Sequence, residues 1–477
     1  MILDTLITNG IVITMEGNGV GIIDDGAVGF KDNIIKTVGP TSEVLKEYSA
    51  HRYINAENKA VMPGLIDAHI HTGIGLMRGV AQDINNWMQQ GMWPFENQIR
   101  QDTDAVMKGS LMNILESLKA GTTTFCDFDY PMCEIVRNHD RIGTRACVTE
   151  LINEFSNDLS SVKVGDLYPL DPSIGDQKLQ NNLKLIEAWH GKDNGRITCM
   201  LGPQGPDMVR TELLLEIAEL SKKLGLSIHM HVSQSEREIN QMVKRYGKRS
   251  IQYLDELGYL NPSLLAVHLT TATPEETHAV AKSGAGMVLC SGSIGITNGI
   301  VPPAYEFLEV SNRLALGSDQ APGNNCNNMF NEMKMTALLN KCKRNDPVIF
   351  PAWKVLRMAT IESARAIGKG DEIGSLRAGK KADIIIIDMM QPAVAPIIKY
   401  PVRNIVPNLV YSAKGSEVET VIIDGESIIE DFKVLSVNER TVVSEAMAAA
   451  KRVCDKAAKD FFAQKTPLFE MMENDCL

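Results

Sequence analysis

Several features are missing from this chain, and each absence narrows what it can be. Its nine cysteines stand singly between Cys126 and Cys476, with no CxxC pair among them. A disulfide framework or a cysteine-ligated zinc needs clustered thiols, so these are expected to pack as small apolar groups in a reducing cytoplasm. No apolar run approaches the roughly 18 residues of a membrane span. The opening "MILDTLITNGIVITMEG" lacks the basic and apolar regions of a signal peptide. Basic clusters are absent too. The 48 basic and 59 acidic residues are interspersed, for a net charge of −11. With no phosphate-backbone footprint, neither nucleic acid nor a membrane is an expected partner, and the charge reads as solubility. "GKGDEIG" has the glycines of a phosphate loop but not the preceding strand and following helix.

What is present is a long chain, 477 residues with 44% hydrophobic side chains, enough for one large domain and a smaller one. The first sixty residues read as short strands with turns. Asn9-Gly10, between two β-branched runs, signals a hairpin, and "GAVGFKDNIIKTVG" repeats the pattern. From there to about residue 370, amphipathic helical segments alternate with short apolar strands. "RTELLLEIAELSKKLG" feeds "LSIHMHV", "SIQYLDELGYL" feeds "LLAVHLT", and "AYEFLEVSN" feeds "RLALGSD". Such alternation implies a parallel sheet, and the number of units suits an α/β fold of the (β/α)8 TIM-barrel type. Strands return in "ADIIIIDM" and "VETVIIDGESI". The expected organisation is a small β-sandwich built from both chain ends (1–59 and 371–436), a barrel over 60–370, and a C-terminal helix and tail over 437–477.

The chemistry sits at strand ends. In "DAHIHT", His69 and His71 are two apart on a strand, so both imidazoles leave the same face and can reach one ion. His229 and His231 repeat the spacing. His231 lies nearer the carboxyl end, where barrel sites are assembled, and is the expected ligand, with His229 packed behind it. His268 ends the next strand, and Asp319 ends a later one. His51, His139, His190 and His278 fall in loops or helices and read as surface or capping residues.

"PGLIDAHIHTG", "IHMHVSQ", "AVHLT" and "LALGSDQAPGNN", in that order, resemble the amidohydrolase superfamily, and within it the cytosine/guanine deaminase and s-triazine hydrolase (chlorohydrolase) branch. "GSLRAGKKADIIIID" and "LVYSAKGSEVETVIIDG" extend the resemblance over almost the whole chain. It implies a (β/α)8 barrel with one divalent metal held by His69, His71, His231 and Asp319. The donor set suits zinc first and ferrous iron second. It also implies a metal-activated water that attacks a ring carbon, with Asp319 taking its proton and His268 steadying the developing oxyanion. By the same analogy the chain is expected to form a homodimer or a larger homo-oligomer.

The chain departs from that pattern at two glutamines. Deaminases of the branch carry a proton-shuttling glutamate three residues after the His231 equivalent, where this chain has Gln234; an amide can only hydrogen-bond. Asp319 could carry both proton steps, a leaving group could need little protonation, or Glu236 could swing in. Nucleoside-type members carry a substrate-contacting histidine where this chain has Gln204, and their serine-asparagine motif becomes "CSGSIGI". These changes favour a small, flat nitrogen heterocycle contacted by Gln204 and Gln234. The loop "MRGVAQDINNWMQQGMWPFE" is expected to cover the substrate, with Trp87 in the pocket wall. The expected activity is therefore release of ammonia from a triazine, pyrimidine or purine ring. Displacement of chloride or sulfur from a similar ring, or a non-catalytic scaffold, are the alternatives.

Overall fold

The computed structural model describes residues 1–155 and 162–476. Eight short parallel strands, each followed by helical chain, carry the expected alternation: β1 (Leu65–His71), β2 (Thr122–Asp129), β3 (Arg145–Glu150), β4 (Ile197–Cys199), β5 (Ile228–Val232), β6 (Leu264–His268), β7 (Gly286–Leu289) and β8 (Leu314–Leu316). They pair in sequence order within two groups, β1 to β4 and β5 to β8. A parallel bridge from Leu201 to Ile228 joins β4 to β5. Asp319 and Gln320, just beyond β8, pair with Ile70 and His71 at the end of β1.

Side chains pointing between these strands fill one buried cluster that includes Ile66, Ala68, Cys126, Cys147, Met200, Val267, Val288, Cys290 and Ala315. Small and medium apolar groups suit the narrow space beside closely paired parallel strands. The thiols Cys126, Cys147 and Cys290 serve as such groups here, and all nine cysteines are free. No helix among the described residues is long and apolar enough to cross a membrane.

Strands from both chain ends share one nine-stranded sheet. The Ile384–Asp388 strand lies antiparallel to Lys59–Pro63, with Ile385 opposite Met62. Lys59–Pro63 in turn runs beside Ile2–Ile13. Ile7, Val28, Phe30 and Val61 from the first part pack with Ile384, Ile386 and Ile422 from the last.

Asn9-Gly10 is not a hairpin turn. Ile2–Ile13 is one strand, kinked by a bulge there, with Asn9 at φ 62°. The kink has a cause in the pairing. Before it, the strand runs beside Ser49–Asn55; after it, beside Lys59–Pro63. One irregular step lets a single strand change neighbours. Gly10 suits that step, because a Cβ on it would meet Val61 at 2.7 Å. The second signal does form a hairpin, with Lys31 opposite Ile34 across Asp32-Asn33.

The long C-terminal helix, Glu439–Ala463, buries Ala446, Ala449, Val453, Ala457 and Phe461 at helical spacing. This stripe packs against the helices Thr103–Lys119 and Trp93–Ile99. Beyond it lies a short helix, Pro467–Glu473, rather than a plain tail. Thr466 caps that helix, Pro467 opens it and Leu468 is buried.

Candidate metal centre and substrate cavity

His69 and His71 leave the same face of β1 and meet His231 from β5 and Asp319 from beyond β8. Nε2 of His69 lies 3.2 Å from Nε2 of His231 and 3.4 Å from Oδ1 of Asp319. Nε2 of His71 lies 3.5 Å from the same oxygen. His69, His71 and His231 form one group with ligand atoms within 4.8 Å of one another; His69, His268 and Asp319 form another.

The opposite edges of the three rings are tied down. His231 Nδ1 donates to the Gln204 carbonyl at 2.7 Å, and His71 Nδ1 donates to the Phe128 carbonyl. A carbonyl only accepts, so both rings carry their proton on Nδ1 and turn a bare Nε2 inward. His69 Nδ1 meets Nε2 of His229 at 2.8 Å, which places His229 behind the cluster.

Burial, reinforced by neighbouring imidazoles, pulls His69 and His231 well below the usual histidine range. His229 falls to about 3 and His268 to about 4, chiefly by burial. Burial pushes Asp319 up, but His268, His71 and the Ser293 hydroxyl outweigh it and hold the carboxyl below its ordinary value. Asp319 Oδ2 accepts from Ser293 at 2.5 Å, while buried Oδ1 has no hydrogen-bond partner among the described residues. Bare imidazole nitrogens and an unpaired carboxylate oxygen facing one point repel each other unless a cation lies between them. The residues therefore fit a divalent ion of the zinc type.

Strained backbone aims these groups. His268 has φ 81°, Asp319 φ 61° and Ser233 φ 50°, left-handed values at the ends of three strands. Gly317 is demanded by close approach, since a Cβ there would lie 2.8 Å from His69 Cβ and 2.9 Å from its carbonyl oxygen.

Gln234 and His268 face each other, the amide nitrogen 3.3 Å from His268 Nε2. The backbone N–H groups of Ser233 and Gln234 both donate, at 2.7 Å, to the buried carboxylate of Glu238. Beside this pair opens a cavity of about 320 Å³, lined by Trp87, Gln234, Glu236, His268, Ser293 and Gln320. Trp87 forms part of its wall, and its buried indole N–H has no partner among the described residues. Glu236 is exposed in the first turn of the helix Glu236–Tyr246. Two smaller recesses share lining residues with it or with each other, one lined by His71, Trp87, Gln204, His231 and Gln320, the other by Glu96, Asn97, Arg100, Tyr130, Asn153 and Gln204.

Gln320, Glu96, Arg100 and Asn153 are absent from the sequence-based expectation. Gln320 could have been found by its place next to Asp319, and Glu96 by ending the loop expected to cover the substrate, four residues before Arg100; Asn153 has no spacing that marks it. His139 is neither surface nor capping. It is buried, with ring nitrogens bonded to Thr144 at 2.8 Å and Asp127 at 3.0 Å, because its helix packs that face onto β2. His278 does pair at the surface, with Glu309 at 3.2 Å.

Comparison with known proteins agrees with this geometry. Over 464 residues the chain is 34% identical to a 5'-deoxyadenosine deaminase of Methanosarcina acetivorans, covering 95% of this chain and 99% of the relative. It is 32% identical to a 5-methylthioadenosine/S-adenosylhomocysteine deaminase of Caldanaerobacter subterraneus, covering 94% and 99%. A zinc-bound adenosine deaminase from Xanthomonas campestris superposes with a TM-score of 0.85 at 28% identity, covering 95% of this chain and 99% of that one. Atrazine chlorohydrolase TrzN from Arthrobacter aurescens, at 20% identity and a TM-score of 0.83 over 94% and 100% of the two chains, shares the fold. Residues 60–428 match the amidohydrolase family, and the chain belongs to that family as a metal-dependent hydrolase of C–N bonds in cyclic amidines.

Proposed function

We propose that this chain removes the exocyclic amino group of a purine as ammonia, with adenosine-type nucleosides as its substrate class. The observation that carries the reading is the Asp319 Oδ1 left unpaired among the described residues, set among inward-facing imidazole nitrogens and beside the cavity lined by Trp87, Gln234 and His268. Glu96, Arg100 and Asn153 are already bonded within the protein, Arg100 to Glu96 and Asp129 and Asn153 to Gln204 and Lys178, so they do not choose the substituent. The preference for a small flat ring drawn from Gln204 gives way to a purine nucleoside on the strength of the relatives. The relatives named for 5'-deoxyadenosine and 5-methylthioadenosine support the same class.

His69, His71, His231 and Asp319 are the residues that would hold the ion, zinc first. When bound, the ion supplies a water acidic enough to lose its proton near neutral pH. Asp319 takes that proton on its carboxylate and, because Gln234 cannot transfer one, also delivers it to the departing amine. His268 donates to the oxygen as it gains charge, and Gln234 and Gln204 orient the ring through hydrogen bonds. Trp87 closes the cavity over it. The eight parallel strands read as one closed barrel, with the nine-stranded sheet folded over as a sandwich around the residues of both chain ends. Residues 60–370 form the barrel, 1–59 with 371–436 the smaller domain, and 437–477 the C-terminal helices. A cytoplasmic homo-oligomer belongs to the same reading.

One observation favours a second reading, displacement of chloride or sulfur from a similar ring. With Gln234 in place of an acid, a leaving group that needs no proton departs more easily. The test is the zinc-loaded protein assayed for ammonia, chloride and sulfide against adenosine-type nucleosides, free purines, and amino-, chloro- and thio-substituted triazines. Ammonia from the nucleosides is the expected result. Chloride or sulfide release without ammonia would move the assignment to the second reading. A protein that neither retains nor takes up metal would be a scaffold.

A further inference from the structure

Gln204 stands between the metal cluster and the polar recess, and its backbone is held on both sides. Its N–H donates to Ile152 at 2.8 Å. Its carbonyl accepts both the backbone N–H and the ring Nδ1–H of His231, at 3.1 and 2.7 Å. Only the side-chain amide is left to choose an orientation, and it could turn either oxygen or nitrogen toward a ligand.

A chain of three groups makes that choice. Lys178, on the helix Pro172–Trp189, donates from Nζ to Asn153 Oδ1 at 2.7 Å. Asn153 Nδ2 donates to Gln204 Oε1 at 2.6 Å. An ammonium has three donors and no acceptor, so Asn153 must turn its oxygen to Lys178 and its amide nitrogen to Gln204. Gln204 must answer with its oxygen, since the reversed amide would set two N–H groups against each other. Burial, then the nearby Arg100, pulls Lys178 down to about 8, which leaves it an ammonium at neutral pH. Gln204 Nε2 is left without a protein partner among the described residues, and Gln204 lines the cavity.

We propose that Lys178, acting through Asn153, locks Gln204 with its N–H group turned into the cavity, so that the site selects rings presenting an acceptor atom at that edge. The selection of a purine nitrogen rests on the proposed function; the orientation of the amide does not. Lys178 and Asn153 are positioning residues, and Gln204 is the group that touches the ring.

Asn153→Asp separates this device from a merely structural one. The carboxylate keeps Lys178 as its partner but only accepts, so Gln204 must turn Nε2 toward it and present Oε1 to the ring. Lys178→Met removes the polarity and leaves both orientations open. The readout is the kcat/KM ratio between an adenosine-type nucleoside and its 1-, 3- and 7-deaza analogues, each replacing one ring nitrogen by C–H. In the parent, one analogue is expected to fall at least tenfold below the others. That ratio should collapse toward one in Asn153→Asp and shrink in Lys178→Met. A general loss of fold would lower all four substrates together and leave the ratios unchanged.

Neutron diffraction of the deuterated, zinc-loaded protein gives a second readout that needs no substrate. Deuterium on the Gln204 atom facing the cavity supports the proposal; oxygen there overturns it. Deamination with equal deaza ratios, or a ratio that survives Asn153→Asp, would also overturn it. If no purine is turned over, the functional reading fails, and the neutron maps of parent and Asn153→Asp decide the proposal alone.

Discussion

At the scale of single residues, the proposed mechanism puts the limit on catalysis at Gln234. Its amide lies 3.3 Å from His268 Nε2, where it can hold a ring but cannot move a proton. General acid–base assistance is typically worth about 10²–10⁴-fold. Gln234→Glu should therefore raise the rate of ammonia release by roughly tenfold or more, and add a limb to the pH–rate profile. Gln234→Ala should lose activity, and parent-like turnover by the alanine variant would remove Gln234 from the mechanism. Asp319→Asn should lose both turnover and bound zinc, read by metal analysis of the dialysed protein. Trp87 offers a finer probe, because its buried indole N–H has no partner among the described residues. If substrate satisfies it, Trp87→Phe should raise KM about tenfold, the cost of one hydrogen bond of about 1.4 kcal/mol, without lowering Tm. The clustering of His69, His71, His231 and Asp319 was readable because period two and strand ends place side chains without knowledge of packing. Lys178 and Asn153 were not, since a helix and a separate loop bring them to Gln204 only through the tertiary fold.

Elements carry the geometry those residues need, and two of their features can be tested. Gly317, next to β8, lets the chain pass His69 with no Cβ between them. Gly317→Ala should displace His69, lower zinc content and cost about 1–3 kcal/mol of stability, the usual penalty for overpacking. Zinc content and Tm equal to those of the parent would show that the strands can part without harm. Glu332, in the first turn of the helix Met329–Arg344, accepts from the Gly292 N–H and from Asn324, yet burial still drives it up to about 8. The folded chain thus keeps a proton that the unfolded chain, with the ordinary value of 4.5, has already released. The unfolded state binds fewer protons in that window, so this group's contribution to stability falls as pH rises from 4.5 to about 8. Glu332→Gln should remove the slope, which reaches at most about 1.4 kcal/mol per pH unit. Urea midpoints of parent and variant should diverge in the variant's favour as pH rises, and a constant difference would refute the assignment. Local sequence was a weaker guide at this scale wherever pairing decided the outcome. Asn9-Gly10 has the chemistry of a reversal, but two successive strand neighbours made it a bulge.

On the scale of the whole molecule, the first and last parts of the chain are legible as strands, but which strand meets which, and what ties that sheet to the parallel strands, are settled by long-range contacts. Arg145 is one of them. It leaves β3 and meets Asp383, just before the Ile384–Asp388 strand, at 2.5 and 2.9 Å, and Asp424 at 2.7 Å. Arg145 and Asp383 are almost wholly buried. Asp383 also accepts the Asp424 backbone N–H at 2.8 Å, so one guanidinium holds a corner made of two separate turns. Without that cation the buried Asp383 carboxylate would keep only the Asp424 N–H as a donor and would face the half-buried Asp424 carboxylate with no guanidinium between them. Arg145→Met should consequently cost about 3–5 kcal/mol, more than the loss of an exposed pair. Removing one of the stranded charges as well, in Arg145→Met with Asp383→Asn, should restore part of the loss even though it deletes a further native contact. The measurement is denaturant unfolding of the parent, the two single variants and the double. Additive losses would mean that the ion pair contributes nothing beyond its separate side chains. A double variant more stable than Arg145→Met alone would show that the unpaired charge, rather than the missing contact, loosens the junction between the outer sheet and the strands that carry the site.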